Sequence, residues 1–311
     1  MHIIITGGLG FIGSHIASQL LKEKHEVTIL DNKTTSVVRE IPGVRVVVAD
    51  LSDEQVVAAL NLPEAACIMH LGGPSSGPAA QKEPVKTISL GYLITYNILN
   101  FALRMGIKRF LHASSMVVYG NVGPNDNPVD ERTPCYPISH YGISKFANER
   151  FVATFCKQNG IGYNNLRMFN VYGPGQDLTR MDQGLVSIFL AMLIKGPEVL
   201  VKGHLERFRD VVHIDDVVQA WILCGTRNQV DGDFNIASGE TVTIGDVIRT
   251  IADELGILDK LLIREEAGTP GDIAGISADI RALKAATGFH PKYPPALGIR
   301  AFTRWAVTNA Q

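Results

Sequence analysis

The residues His2-Ile-Ile-Ile-Thr6 run directly into Gly7-Gly-Leu-Gly10-Phe11-Ile12-Gly13, and a helix-forming stretch follows at once. An apolar, β-branched run of this kind reads as a buried strand, and glycines at its end allow a tight turn in which main-chain N–H groups approach a ligand. The N-terminus of the following helix brings partial positive charge to the same point. The succession predicts a dinucleotide site whose pyrophosphate lies on Gly7, Gly10, Phe11, Ile12 and Gly13. The alternative is a ligand-free glycine turn of any α/β protein, and Asp31 argues against it. It ends a second predicted strand, Glu26–Leu30, where a carboxylate with Asn32 beside it can accept hydrogen bonds from both ribose hydroxyls. A carboxylate there repels a 2′-phosphate, so the expected cofactor is NAD rather than NADP.

Short Ile- and Val-rich runs at Arg45–Val48, Cys67–Leu71, Arg109–Ser114 and Gly162–Phe169 continue the pattern, separated by helical periodicities at Ser14–Lys24 and Tyr92–Met105. The expected fold class is α/β, a Rossmann-like doubly wound parallel sheet with a smaller α/β substrate lobe on the C-terminal side. The alternation fails after Tyr172. The expected division is 1–171 plus about 209–238 for the sheet domain, where Asp233–Ala237 returns to the sheet after a helix at Asp215–Cys224. The second lobe then takes about 172–208 and 239–311. Lys plus Arg (29) nearly balances Asp plus Glu (31), so no long-range field favours nucleic acid, and any polyanionic ligand must be held by local groups. No apolar stretch is long enough for a membrane span and no secretory leader is visible, so a cytoplasmic protein is expected. Cys67, Cys135, Cys156 and Cys224 are widely spaced and read as reduced, mostly buried thiols, and no His or Cys spacing suggests a metal site.

Tyr141-Gly-Ile-Ser-Lys145 opens a further helical stretch, and the i,i+4 spacing puts phenol and ammonium on one face. A Lys cation, joined by the positive nicotinamide ring, is expected to lower the phenol pKa and make Tyr141 a usable base. Ser115 ends the fifth strand, at the edge that faces the ligand crevice in a parallel sheet. Its hydroxyl either bonds a reacting oxygen or, like that of Ser114, caps the strand. Asp50-Leu51 either flanks an adenine or begins a helix with Asp50 or Ser52 as N-cap.

TGGLGFIGSH at the start, LDN at Asp31, AD at Asp50, HLGG at His70, SSMVVYG at Ser114, YGISK at Tyr141, LRMFNVYGPG at Leu166 and RDVVHIDDV at Arg209 stand in one order along the chain. Together they resemble the extended short-chain dehydrogenase/reductase family, in the nucleotide-sugar epimerase and dehydratase group typified by UDP-glucose 4-epimerase. The resemblance implies Tyr141 as catalytic base, Lys145 as its partner and Ser115 beside the reacting oxygen. It also implies cofactor contacts at Asp50, Leu51, Leu71, Gly72, Gly73 and Ser114, and substrate contacts at Ser75, Met116, Asn170, Leu200, Lys202 and Arg209. Asn170 and Arg209 would bind a diphosphate, and the backbone of 200–202 would read the base; the Lys202 side chain either adds charge or is a solvated surface group. A homodimer through the Tyr92–Met105 and Tyr141–Lys157 helices is implied.

Where the dehydratases of this group carry an Asp and a Glu, and its decarboxylases keep the Glu, the chain has Met116 and Val117. Two apolar side chains move no protons, which favours reversible oxidation. Further departures are Gly91 for an Asn, Ser75 for a longer polar residue, and Gly175 and Thr269 for two Arg residues. The expected function is an NAD-dependent epimerase acting at C4 of a UDP-hexose through a transient 4-keto sugar. The alternatives are a dehydrogenase with net NADH turnover and an NAD-sensing module without catalysis.

Overall fold

The computed structural model describes residues 1–123, 126–182, 184–227, 230–268 and 275–309. In chain order its first half runs β1 (His2–Thr6), α1 (Phe11–Lys22), β2 (Glu26–Asp31), β3 (Arg45–Val48), α2 (Glu54–Ala58), β4 (Cys67–His70), α3 (Gly77–Lys82), α4 (Pro84–Arg104), β5 (Arg109–Ser115), α5 (His140–Asn159) and β6 (Gly162–Met168). The second half runs β7 (Asn170–Tyr172), α6 (Leu185–Lys195), β8 (Glu198–Lys202), β9 (Phe208–His213), α7 (Ile214–Thr226), β10 (Gly232–Ile236), β11 (Thr241–Thr243), α8 (Ile244–Glu254), β12 (Leu262–Glu266), β13 (Gly275–Ile276), α9 (Arg281–Thr287) and α10 (Pro295–Asn309).

A seven-stranded sheet has the order β10-β6-β5-β4-β1-β2-β3, with every neighbouring pair parallel. Chain order reverses between β1 and β4, the place where ligands enter open parallel sheets. Successive side chains of a strand point to opposite faces. Thus Ile3 and Ile5 join the core under α1 and α7 with Leu20, Val217 and Trp221, while Ile4 faces Ile98, Leu99, Phe110 and Val152 under α4 and α5. A third core, built on Val186, Leu190, Val211, Ile248 and Phe302, fills the space among α6, α8, α10 and the smaller strands. β9 pairs with β7, β11 and β13, and β8 pairs with β12, so the 209–238 segment begins in this smaller sheet and rejoins the large one at β10. Cys67, Cys156 and Cys224 are buried and Cys135 half-buried, all as free thiols. No helix among the described residues is long and apolar enough to cross a membrane.

Two helices differ from the periodicity. α1 begins at Phe11 inside the glycine turn rather than at Ser14, because Gly10 serves as its N-cap. α4 begins at Pro84 rather than Tyr92; Pro suits a first helical position, and polar Lys86, Thr87 and Ser89 dilute the apolar signal of its first turns.

One ion pair ties the edge of the large sheet to α5. Arg167 on β6 donates Nε and Nη2 to the two carboxylate oxygens of Glu149 at 2.9 and 2.8 Å, and Nη2 also reaches Asp233 Oδ2 on β10 at 2.8 Å. Glu149 has no exposed surface and Arg167 almost none. Removing one partner of such a pair leaves a bare charge in the interior. Arg167→Met is therefore expected to lower the unfolding free energy by about 3–5 kcal/mol, as measured by urea denaturation, and an unchanged midpoint would show that the pair does not hold α5.

Candidate active site

Gly7 sits in the left-handed region, φ +66°, and its N–H donates to the Leu30 carbonyl at 2.8 Å. A Cβ there would stand 2.9 Å from Gly72 Cα, and one at Gly13 would stand 2.6 Å from the Gly7 carbonyl oxygen. The first turn of α1 is thus pressed against the end of β1 with no room for side chains. Gly10 provides no side-chain cap and the first turn holds no acidic residue, so the N–H groups at Phe11 and Ile12 face the crevice as an anion cradle. These features fit a dinucleotide pyrophosphate. Asp31 is buried; its Oδ2 accepts the Leu9 N–H at 3.0 Å, while Oδ1 accepts the Lys33 N–H and the Ser36 hydroxyl at 2.7 and 3.2 Å. The carboxylate expected to meet a ribose therefore also fastens the glycine turn. Asn32 is exposed and folds onto Thr34.

Asp50 is exposed, and its hydrogen bonds from Ser52 hold the carboxyl below the usual range. The α2 N-cap is Asp53, which accepts from Gln55 and Val56, so neither Asp50 nor Ser52 caps the helix; Leu51 beside them is buried. After β4, Leu71 and Gly72 are half-buried and Gly73 exposed. Thr6 braces this turn: its hydroxyl accepts the Gly72 N–H at 3.0 Å and lies 2.7 Å from His70 Nδ1, whose Nε2 lies 3.2 Å from the Thr95 hydroxyl. Thr95 donates in turn to the Gly91 carbonyl at 2.8 Å. The chain is satisfied by a neutral imidazole protonated at Nε2, and burial pushes His70 down to about 3. Neither Thr6 nor His70 was selected from the sequence, because a polar residue at a strand end carries no periodic signal.

Ser115, Tyr141 and Lys145 come together at the carboxyl end of β5. Ser115 and Tyr141 share a side-chain hydrogen bond. Lys145 Nζ lies 5.7 Å from the centre of the Tyr141 ring and donates to the Ala113 carbonyl at 2.9 Å. Ser139 caps α5 through the Gly142 N–H, which puts residue 141 in the first turn, beside the short 3₁₀ turn Met116–Val118. The Ser115 hydroxyl also accepts the Val117 N–H at 3.5 Å and so caps that turn. The lowered phenol pKa expected from Lys145 is not what the protein's own groups produce. Burial pushes Tyr141 up to about 12, against the Ser115 hydrogen bond, and burial lowers Lys145 to about 8 while Glu149 pulls it back upward. For the phenol, desolvation outweighs the Ser115 hydrogen bond.

The Ser114 side chain is buried and donates to Glu149 Oε1 at 2.5 Å, so its hydroxyl is already engaged by α5. Glu149, one turn beyond Lys145, was missed, although its i+4 spacing from Lys145 was visible.

Asn170 on β7 donates to the Asp210 carbonyl at 2.8 Å and contacts Met116 Sδ at 3.6 Å. It thus sits between the end of β5 and β9. Arg209 is buried on β9; burial and the nearby Arg207 push its guanidinium down to about 10. On β8, Leu200 and Lys202 alternate outward while Val199 and Val201 point into the core, and the Lys202 carbonyl accepts from Arg207. A cavity of about 600 Å³ opens beside them, lined by Gly203, His204, Arg207, Glu265 and Glu266. Ser75 is exposed; the neighbouring Ser76 caps α3 and donates to Asp182 at 2.9 Å. At Gly175 a Cβ would stand 2.8 Å from the His15 ring. Thr269 lies outside the described residues.

Residues 3–237 match the NAD dependent epimerase/dehydratase family. The chain is 31% identical over 310 residues to a provisionally named UDP-glucose 4-epimerase of Methanocaldococcus jannaschii, covering 99% of each. It superposes on the UDP-glucose 4-epimerase of Thermotoga maritima solved with UDP-glucose at a TM-score of 0.94, with 28% identity over 100% of both chains. On the Thermus thermophilus UDP-glucose 4-epimerase solved with NAD the TM-score is 0.91, with 29% identity over 99% of this chain and 100% of that one.

If the glycine turn holds the pyrophosphate, Gly13→Val should weaken NAD binding by roughly 100-fold, about 2.7 kcal/mol, in isothermal titration of a variant whose circular dichroism is unchanged. Undiminished affinity would place the dinucleotide elsewhere.

Proposed function

The chain belongs to the NAD-dependent epimerase/dehydratase family, and from that premise we propose that it is a UDP-hexose epimerase acting at C4 through a transient 4-keto sugar. It is an NAD-dependent enzyme of the extended short-chain dehydrogenase/reductase type. The observation that carries the proposal is the composition of the reacting corner: Ser115, Tyr141 and Lys145 converge, and the two residues that follow Ser115 are Met116 and Val117. A corner with one proton-moving side chain and no further acid suits removal and return of hydrogen at a single carbon.

NAD, when bound, supplies a reversible hydride acceptor. Tyr141 takes the proton of the sugar C4 hydroxyl and later returns it to the same oxygen, while Ser115 holds that oxygen by a hydrogen bond. Lys145 contributes positive charge beside the phenol, offsetting part of its burial. Asn170 and Arg209 hold the diphosphate, and the segment 200–202 beside the large cavity receives the base. The resident Asp31 carboxylate disfavours a phosphorylated ribose. Net oxidation with NADH release is the second reading, favoured by Gly175, where no side chain is available to clamp a diphosphate and the His15 ring fills the space.

The protein supplied with UDP-glucose, UDP-galactose or their N-acetylamino counterparts should yield the 4-epimer by NMR, with no growth of the NADH absorbance band. Tyr141→Phe should lower kcat by roughly 10²–10⁴-fold. Stoichiometric NADH would establish the second reading, and full activity of the Phe variant would remove Tyr141 from the chemistry.

We also propose a homodimer through α4 and α5. Val85, Ile88 and Tyr92 recur on one face of α4 with exposed side chains, and Tyr92 and Tyr96 stack on each other and on Phe151 of α5. An apolar stripe across two neighbouring helices suits a second copy of itself, since a two-fold interface is self-complementary. Ile88→Arg should convert a dimer to a monomer in analytical ultracentrifugation; a wild type that sediments as a monomer would refute the interface.

A further inference from the structure

β9 changes neighbour at Asp210. Up to Arg209 it pairs with β13, with Ile276 opposite Arg209, and from Val211 onward it pairs with β7, with Asn170 opposite Val211. β7 follows β6 of the large sheet at once, and β11, which also pairs with β9, follows β10. The carboxyl ends of β6 and β10 are themselves joined, since the Phe169 N–H donates to the Ile236 carbonyl at 3.0 Å. Asp210 thus stands at the seam between the smaller sheet and the large one.

Both its side chain and its main chain bind across that seam. The carboxylate has no exposed surface. Oδ1 accepts the Ser238 N–H and hydroxyl at 2.8 and 2.7 Å, Oδ2 accepts the Gly239 N–H at 2.9 Å, and a further N–H comes from Ala278 just past β13. On the main chain, the Asp210 carbonyl accepts Asn170 Nδ2 at 2.8 Å. These four donors to the carboxylate are all neutral, and burial still lifts the carboxyl to about 7 against their pull. A buried carboxylate is an expensive way to gain stability. What it offers is acceptor capacity: two oxygens can gather donors from several segments at once, which no neutral side chain of that size can do.

The segments so gathered carry the groups assigned above to the diphosphate. Asn170 comes from the end of β6, where it also meets Met116 Sδ, and Arg209 comes from the substrate lobe, so the spacing between them is a spacing between lobes. Successive strand residues face opposite ways, so a carboxylate at 210 can hold β9 from one side while a guanidinium at 209 is presented on the other. We propose that Asp210 is a positioning residue for the substrate diphosphate: its carboxylate fastens β9 to the end of β10, its carbonyl orients the Asn170 amide, and together they set Asn170 and Arg209 at the spacing two linked phosphates require. The proposal rests on the reading of that pair as the diphosphate site.

Asp210→Asn keeps the size of the group but must turn its NH2 toward Ser238 or Gly239, whose N–H groups are donors too. Isothermal titration of the full chain with UDP, UMP and NAD separates positioning from general damage. UDP should bind wild type more tightly than UMP, and Asp210→Asn should lower that ratio roughly ten-fold, about 1.4 kcal/mol, with the Kd for UMP and for NAD changed by less than about two-fold. With a sugar nucleotide that is turned over, KM should rise while kcat is nearly kept, as for binding common to ground and transition states. An unchanged ratio of UDP to UMP affinity overturns the proposal, and so does a variant in which UMP, UDP and NAD all weaken together with a fall in melting temperature. Should Asp210→Asn not fold, Ser238→Ala removes the hydroxyl donor instead; the ratio should then fall roughly three-fold, and an unchanged ratio is equally fatal. Wild-type protein that binds UMP and UDP alike would remove the diphosphate reading of Asn170 and Arg209 and the positioning role with it, whereas an unchanged ratio in the variants alone leaves that reading standing.

Discussion

A carboxylate that no solvent reaches dictates much of this architecture. Glu149 accepts two hydrogen bonds from Arg167 and one from Ser114, and the same guanidinium extends to Asp233 and to the Tyr119 hydroxyl. β5, β6, β10 and α5 are thereby fixed against one another by one connected set of charged and polar groups. Exchanging such a pair for apolar side chains is often neutral or favourable for stability, so its contribution lies in placement. Lys145 stands one helical turn before Glu149, and its ammonium reaches the Ala113 carbonyl because α5 is held at this distance and rotation over β5. The buried charge pair and the reactive corner are two ends of one rigid segment.

The opposite wall of the crevice is set by a different constraint, the absence of side chains. Gly7, Gly72 and Gly13 let three stretches of backbone approach closer than any Cβ permits. The Asp31 carboxylate then fastens the turn from β2, and the Thr6–His70–Thr95 chain fastens it to β4 and α4. Because all strands of the large sheet are parallel, Thr6, Asp31, His70 and Ser115 emerge at the same edge. A nearly neutral chain can therefore hold a strongly anionic ligand, by the first turn of α1 on one side and single cations on the other.

The legible parts were those governed by repetition or by a local rule. Alternating Ile and Val runs gave six of the large sheet's strands to within a residue at their ends, and the return of Gly232–Ile236 followed from the helix before it. The Tyr141–Lys145 spacing needs only helical geometry. What stayed hidden depends on residues far apart in the chain. Arg167 and Glu149 meet only once β6 lies beside α5, and the direction of Ser114 was obscured because adjacent strand residues face opposite ways. The burial of the phenol was hidden for a similar reason: a nearby charge is readable from spacing, while desolvation, which raises the phenol pKa, depends on everything packed around the pair.

Desolvation also bears on how the two lobes can cooperate. Burial and the neighbouring Arg207 both work against the charge of Arg209, and burial alone works against that of Lys145. These costs are built in during folding, by the β9 strand in one lobe and by α5 in the other. In the reading proposed above, a diphosphate beside Arg209 relieves the first. Lys145 is instead left to the Ala113 carbonyl, so that its proton affinity stays sensitive to what lies beside it. In that reading, binding energy is collected at a desolvated cation remote from the reaction, while the cation at the reacting corner keeps the adjustable pKa that proton transfer requires.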